Sequence, residues 1–185
     1  MMWRGMVAIL VLVLAWQLAV TLAAPPPYIL PGPLPVLRAM VVHFPQLLSH
    51  LAVTALEIVI GIVAGVLVGA ACAVAMIASK VARSWLQPLL VISQALPVFA
   101  LAPLLVLWFG YGLGSKIAMA MLIIFFPVAA SFYHGMGRVP PQLLDLARLM
   151  GGGRLAVLRR IVIPWGLPAF ASGVRMAAAV APIGA

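Results

Sequence analysis

The chain has 185 residues, of which 66% are hydrophobic and 7% charged, with a mean hydropathy of +1.28. Soluble domains carry charge on about a quarter of their residues, so a soluble globular fold is excluded and a polytopic α-helical membrane protein is expected. The net charge of +9 lies mostly in short segments between apolar runs, which fits the positive-inside bias rather than nucleic-acid binding.

The remaining chemistry is sparse. One cysteine, Cys72, gives no disulfide framework and no cysteine-based metal site. Glu57 and Asp145 are the only acids, too few for paired-carboxylate catalysis. No span carries a Ser/Lys dyad or a histidine cluster, so no catalytic or metal-binding residue is assigned.

Residues 5 to 24, GMVAILVLVLAWQLAVTLAA, form the first expected span, preceded by Arg4. A secretory signal shares that positive start, but the run is long and no clean small-x-small site precedes PPP, so retention as an anchor is expected. The proline-rich loop APPPYILPGPLPVLRAM follows, because unpaired extended backbone is costly inside a membrane. It leads into a partly amphipathic helix over residues 34 to 50, which places His43 and His50 seven apart on one face. Interfacial placement suits that pair better than metal ligation.

Residues 52 to 78 are the second span, with Gly61, Gly65 and Gly69 as a small-xxx-small ladder for close helix packing. Glu57, near the end of that span, is read either as a translocation-path residue or as a carboxylate snorkelling to the interface. The third span, residues 86 to 109, contains Pro88, Pro97 and Pro103. Such interrupted helices line the route in transporters, which makes Ser93 and Gln94 path candidates. Hydrogen bonding to neighbouring helices is the alternative for both. Trp108, Phe109 and Tyr111 read as an interfacial belt, GYGLGSK as a tight turn, and residues 117 to 134 as the fourth span.

The segment RVPPQLLDLARLMGGGRLAVLRRIVIP interrupts this oily pattern with a glycine-hinged basic insert over residues 138 to 163. Prolines open a helix whose Leu143, Leu146, Ala147 and Met150 share one face, and Gly151, Gly152 and Gly153 end it. A second short helix follows with Leu155, Leu158 and Val162 on one side. Two amphipathic helices joined at an angle make a knob for a partner's groove. A hairpin lying on anionic lipid is the alternative. The glycines lack the GxxxxGK[ST] pattern, so nucleotide hydrolysis of that class is not expected in this chain. A final apolar run over residues 165 to 185 carries one charge, Arg175. With alternating spans, eight basic residues fall on the side of the insert and the N-terminus, against Arg38 and Lys116 on the other. That places the N-terminus and the insert in the cytoplasm.

Asp145-Leu-Ala-Arg-Leu-Met-Gly151, followed by Ile161-Val-Ile-Pro164, resembles the EAA loop of binding-protein-dependent ABC importer permeases. Asp145 stands at the glutamate position, Leu146 and Ala147 at the alanines, Gly151 at the glycine and Pro164 at the closing proline. Asp145 keeps the charge, whereas Leu146 enlarges the surface. LPVFALAPLLVLWFGYGLGSKI and FFPVAASFYHGMGRVPPQLLDLAR are similar to the nitrate/sulfonate/taurine-type permeases, a group that includes permeases for thiamine-pyrimidine precursors.

The resemblance implies an all-α transmembrane bundle of the type I ABC importer permease kind. Residues 1–185 would be a single permease domain with about five spans, and a sixth is expected beyond Ala185. It further implies an ATPase-coupling role for Asp145, Leu146, Ala147, Arg148, Gly151 and Pro164. The implied partners are a cytoplasmic ABC ATPase dimer, a second permease copy and a periplasmic or lipid-anchored solute-binding protein, in the lipid of a bacterial inner membrane. ATP would act on the ATPase; no cofactor is assigned to this chain. Imported solutes would be thiamine-pyrimidine precursors, sulfonates or taurine, or nitrate, with the precursor class favoured. The competing reading is a membrane scaffold whose hairpin docks a protein without transport.

Overall fold

The computed structural model describes residues 2–95 and 98–184, nearly all in helices, with no strand among the described residues. The chain divides into two compact units, Met1–Ala52 and Val53–Ala185. In the first, α1 (Met2–Ala23) is apolar all round and leaves its described side chains exposed or half-exposed, as a lipid-facing helix does. α2 (Pro33–Val42) starts on a proline at its first turn.

The helix expected over residues 34 to 50 is not continuous. It breaks at His43, whose backbone leaves the helical region at φ −96°, ψ 12°, and α3 (Phe44–Ala78) begins one residue later. Pro45 accounts for the break, because its ring clashes with the preceding turn and it has no N–H to bond back into it, so it suits the first turn of a new helix. His43 therefore sits at a corner, its Nδ1 3.1 Å from Gln46 Oε1, and does not share one helix face with His50.

In the second unit the core is built by α3, α6 (Leu113–Met136) and α9 (Ile163–Val180). The glycine ladder of α3 packs on α6. A Cβ at Gly61 would lie 2.6 Å from Ala120 Cβ, one at Gly65 2.8 Å from Ile124 Cβ, and one at Gly69 3.2 Å from Val128 Cγ1. Each pair is 59 positions apart, so the two helices run parallel and in phase. α9 runs antiparallel to α6: a Cβ at Gly135 would meet Ala169, and one at Gly173 would meet Ser131, at 2.5 and 2.8 Å. Small residues let the backbones approach to this distance, and dispersion then replaces a hydrophobic drive that lipid cannot supply. Ile124, Val128, Ala177 and Ala181 are fully buried along these seams.

The expected third span divides into α4 (Lys80–Ala95) and α5 (Ala102–Phe109), with a 3-10 turn at Val98–Leu101 between them. Pro88 lies inside α4, Pro103 opens α5, and Pro97 lies outside the described residues. Arg83 ties α4 to α6 by lying over the Tyr133 ring, 5.8 Å from its centre.

Among the described residues, four helices are long and apolar enough to cross a membrane: Trp3–Ala23, Phe44–Ala78, Leu113–Met136 and Arg154–Ile183. The last corrects the sequence reading. The second insert helix and the final span are one 30-residue helix, in which α8 (Arg154–Val157) passes through a π-helical turn, Leu158–Val162, into α9. Pro164 has no N–H to return to the carbonyl one turn earlier, and the widened turn before it absorbs the mismatch without a break.

Candidate functional site

The insert is held at both ends by the core. Val139 is buried at its entrance and Val162 at its exit, in a cluster with Ala73, Phe132 and Met136. Between them α7 (Pro141–Leu149) starts after Pro140, with Pro141 in its first turn. Leu143 and Leu144 pack on the cluster, and Ala147 is half-buried on the same side. Leu146, Leu149 and Met150 point away, at 53%, 86% and 80% exposure. This differs from the single apolar face drawn from the sequence. Leu146 and Met150 lie on the outward side, because the adjacent pair Leu143-Leu144 takes the inward one. The outward face thus combines three large apolar side chains with Asp145 and Arg148, whose Nη1 donates to Asp145 Oδ1 at 2.9 Å. Both members of that pair are well exposed, so it contributes only about 0.2–0.5 kcal/mol.

The hinge closes with a Schellman arrangement. Gly151 N–H donates to the Arg148 carbonyl and Gly152 N–H to the Ala147 carbonyl, both at 2.9 Å. Gly151 takes φ +79°, a conformation open to glycine and strained for most side chains. Beyond the hinge, Arg154 Nη2 donates to the Ala78 carbonyl, satisfying the last turn of α3 with a cation at the negative end of its dipole. A cleft of about 380 Å³ lies between these parts, lined among others by Ile77, Leu144, Arg148, Arg154 and Val157. Pro164 is exposed in the first turn of α9.

The path candidates fall in different places. Glu57 is 1% exposed, between α3 and α6, and faces Lys116, whose Nζ lies 3.3 Å from Oε1 and donates to Oε2 at 3.4 Å. Ser93 sits on α4 beside an apolar cavity of about 290 Å³ lined by Cys72, Leu90, Phe125 and Phe126, and its hydroxyl donates to the Leu90 carbonyl at 2.8 Å. Phe125 stands nine residues beyond Lys116 on α6, about 13 Å along the axis, so Glu57 and Ser93 do not share a site. The Gln94 side chain lies outside the described residues.

Two contacts escaped sequence reasoning. Lys116 lies the same 59 positions from Glu57 that separate the ladder pairs, so the ion pair is the ladder's next rung. The glycine spacing on α3 carried that signal, but only the α6 partner residues make it readable. The Arg154–Ala78 contact spans 76 positions and has no sequence signature.

The profile of the family described as "Binding-protein-dependent transport system inner membrane component" matches residues 58–185. A probable ABC transporter permease protein of Haemophilus influenzae is 49% identical over 175 residues, covering 95% of this chain and 71% of that protein. The formylaminopyrimidine transport permease protein ThiX of Halalkalibacterium halodurans is 34% identical, covering 95% and 70%. The taurine transport system permease protein TauC of Escherichia coli is 34% identical, covering 90% and 63%. No solved structure matches the chain.

Proposed function

Because the chain belongs to the family of binding-protein-dependent transport system inner membrane components, we propose that it is the permease subunit of an ATP-driven importer for a small polar or anionic solute. The observation that carries the coupling part of this reading is the outward face of α7. Leu146, Leu149 and Met150 expose apolar surface beside Asp145 and Arg148, on a segment that the core anchors at both ends. A surface of that kind suits the groove of a protein partner better than water. The partner is a separate ABC ATPase, which binds and hydrolyses the ATP.

In this reading ATP closes the ATPase pair and carries α7 with it. Gly151 keeps the angle between α7 and α8, and the unbroken helix through Pro164 passes the displacement to the last span. Ala147 supports α7 from the core side. Two copies of the permease form the pathway, with Ser93 and Gln94 as candidate path residues and Glu57 held at its outer part by Lys116. A periplasmic or lipid-anchored binding protein delivers the solute, and the N-terminus and insert face the cytoplasm of a bacterial cell. The relative named for formylaminopyrimidine supports a thiamine-pyrimidine precursor as solute, ahead of sulfonates, taurine or nitrate.

The test is reconstitution of the permease with its ATPase and binding protein in proteoliposomes. The expected result is ATP-dependent accumulation of formylaminopyrimidine, lost when the binding protein is omitted. Accumulation of taurine instead would move the solute assignment and keep the importer. An assembly that hydrolyses ATP yet accumulates neither solute nor nitrate would sink the reading.

A further inference from the structure

Arg175 is the one ionisable residue in α9 and is exposed on it, with no ion pair or side-chain hydrogen bond among the described residues. Its depth follows from the α6–α9 register. A Cβ at Gly173 would touch Ser131 Cβ at 2.8 Å and the Pro127 carbonyl at 3.2 Å, which puts Arg175 level with Ala129, within the membrane-spanning part of α6. The charges that bound this part of α6, Lys116 and Arg138, are about 20 Å and about 14 Å away along the axis, against about 15 Å for half the thickness of a hydrocarbon core. That exceeds the reach of an arginine side chain, so snorkelling to either surface does not account for it.

The direction is equally specific. Gly166, Gly173 and Ala177 form the buried side of α9, and Arg175 lies on the opposite side. Around it the exposed positions are small or cyclic: Pro168, Ala171, Ser172, Ala179 and Pro182. Larger apolar side chains stand to either side, Trp165, Met176 and Ile183 on one flank and Leu167 on the other. An intramembrane cation facing away from the described helices requires water, a pathway or an opposite charge.

The geometry points to Arg175 as a solute-binding residue within the membrane, receiving an oxyanion or carbonyl oxygen of the transported molecule. The guanidinium presents paired donors that match a carboxylate, sulfonate or phosphate edge, and the small neighbours leave room for the molecule to approach. This inference rests on the permease reading above and adds to it the residue that meets the solute.

The test has two arms, each in the permease assembled with its ATPase and binding protein. In a Cys72→Ala background, Arg175→Cys is expected to react with the anionic reagent 2-sulfonatoethyl methanethiosulfonate supplied from water, whereas Met176→Cys reacts only with a membrane-soluble maleimide. This arm needs no knowledge of the solute. In uptake, Arg175→Gln is expected to lower the maximal rate at least tenfold, with ATP hydrolysis and assembly unchanged, and Arg175→Lys to stay within about threefold of wild type. Labelling of position 175 from the lipid alone would assign the arginine to lipid, and no labelling by either reagent would assign it to a protein contact, with a further span or with another subunit. Either result overturns the proposal, as does wild-type uptake by Arg175→Gln. Failure of the wild-type assembly to move any solute would instead count against the permease reading, since the labelling arm is scored without transport.

Discussion

At Gly151 the limit on substitution is backbone, not space. An added Cβ would meet nothing within 4 Å, yet φ is +79°. A left-handed residue costs about 1–2 kcal/mol, and a β-branched side chain is worse placed still. Gly151→Val is therefore expected to weaken ATPase co-purification and abolish uptake while the permease still inserts. Gly151→Asn, which tolerates this conformation, should keep both. Equal loss in the two variants would show that side-chain bulk, not φ, decides. Asp145 differs in kind. Its pair with Arg148 is exposed and weak, so Asp145→Ala should leave folding intact and reduce uptake only through a desolvated contact with the ATPase. Asp145→Glu should be nearly silent, and wild-type uptake by Asp145→Ala at equal expression would reduce the residue to a solvated helix charge. At Glu57 the sequence reading stayed open between path and interface. Its partner lies on another helix, and composition cannot reveal a pairing that only the register creates.

Among the elements, the α3–α6 seam is where the sequence was most legible and where the structure added most. The four-residue spacing of Gly61, Gly65 and Gly69 announces a packing face, but does not say against which helix. Burial supplies the rest: Gly65 has Ile124 Cβ and the Met121 carbonyl both at 2.8 Å from an added Cβ. Gly65→Ala should force the helices apart and cost about 1–3 kcal/mol, as overpacking does. Gly5→Ala, with nothing near it inside α1, should leave stability unchanged or raise it slightly, since alanine favours the helix. Thermal unfolding in detergent compares the two, and equal midpoints would refute the tight seam. The rung below predicts an asymmetry. Lys116→Met leaves the buried Glu57 carboxylate alone and should cost on the order of 3–5 kcal/mol, most of it recovered when Glu57→Gln is added. If the double variant is no more stable than Lys116→Met alone, the pair does not hold the seam. The insert was half legible. Its helix start, glycine stop and exposed ion pair follow from local chemistry, whereas the fusion of α8 with α9 depends on a π turn that no sequence period announces.

Across the whole molecule, the charge distribution predicts that residue 154 faces the cytoplasm. Arg154→Cys in a Cys72→Ala background should resist an impermeant thiol reagent in intact cells and react after permeabilisation. Labelling in intact cells would invert the topology. The shared phase of the long helices also sets where the chain can change length. A residue inserted between Glu57 and Gly61 turns everything on one side of it by about 100° relative to the other. Glu57 would then leave Lys116 while the glycines stayed seated, or the reverse. The same insertion between Lys116 and Val128 would be felt twice, because that stretch of α6 is indexed against α3 on one side and α9 on the other. The proline-rich loop over residues 24 to 32 is not indexed against α6 and can lengthen near its exposed residues 26 to 30. Length polymorphism in this protein is thereby confined to its connections, and α6 behaves as a gauge whose residue count is fixed by two neighbours at once.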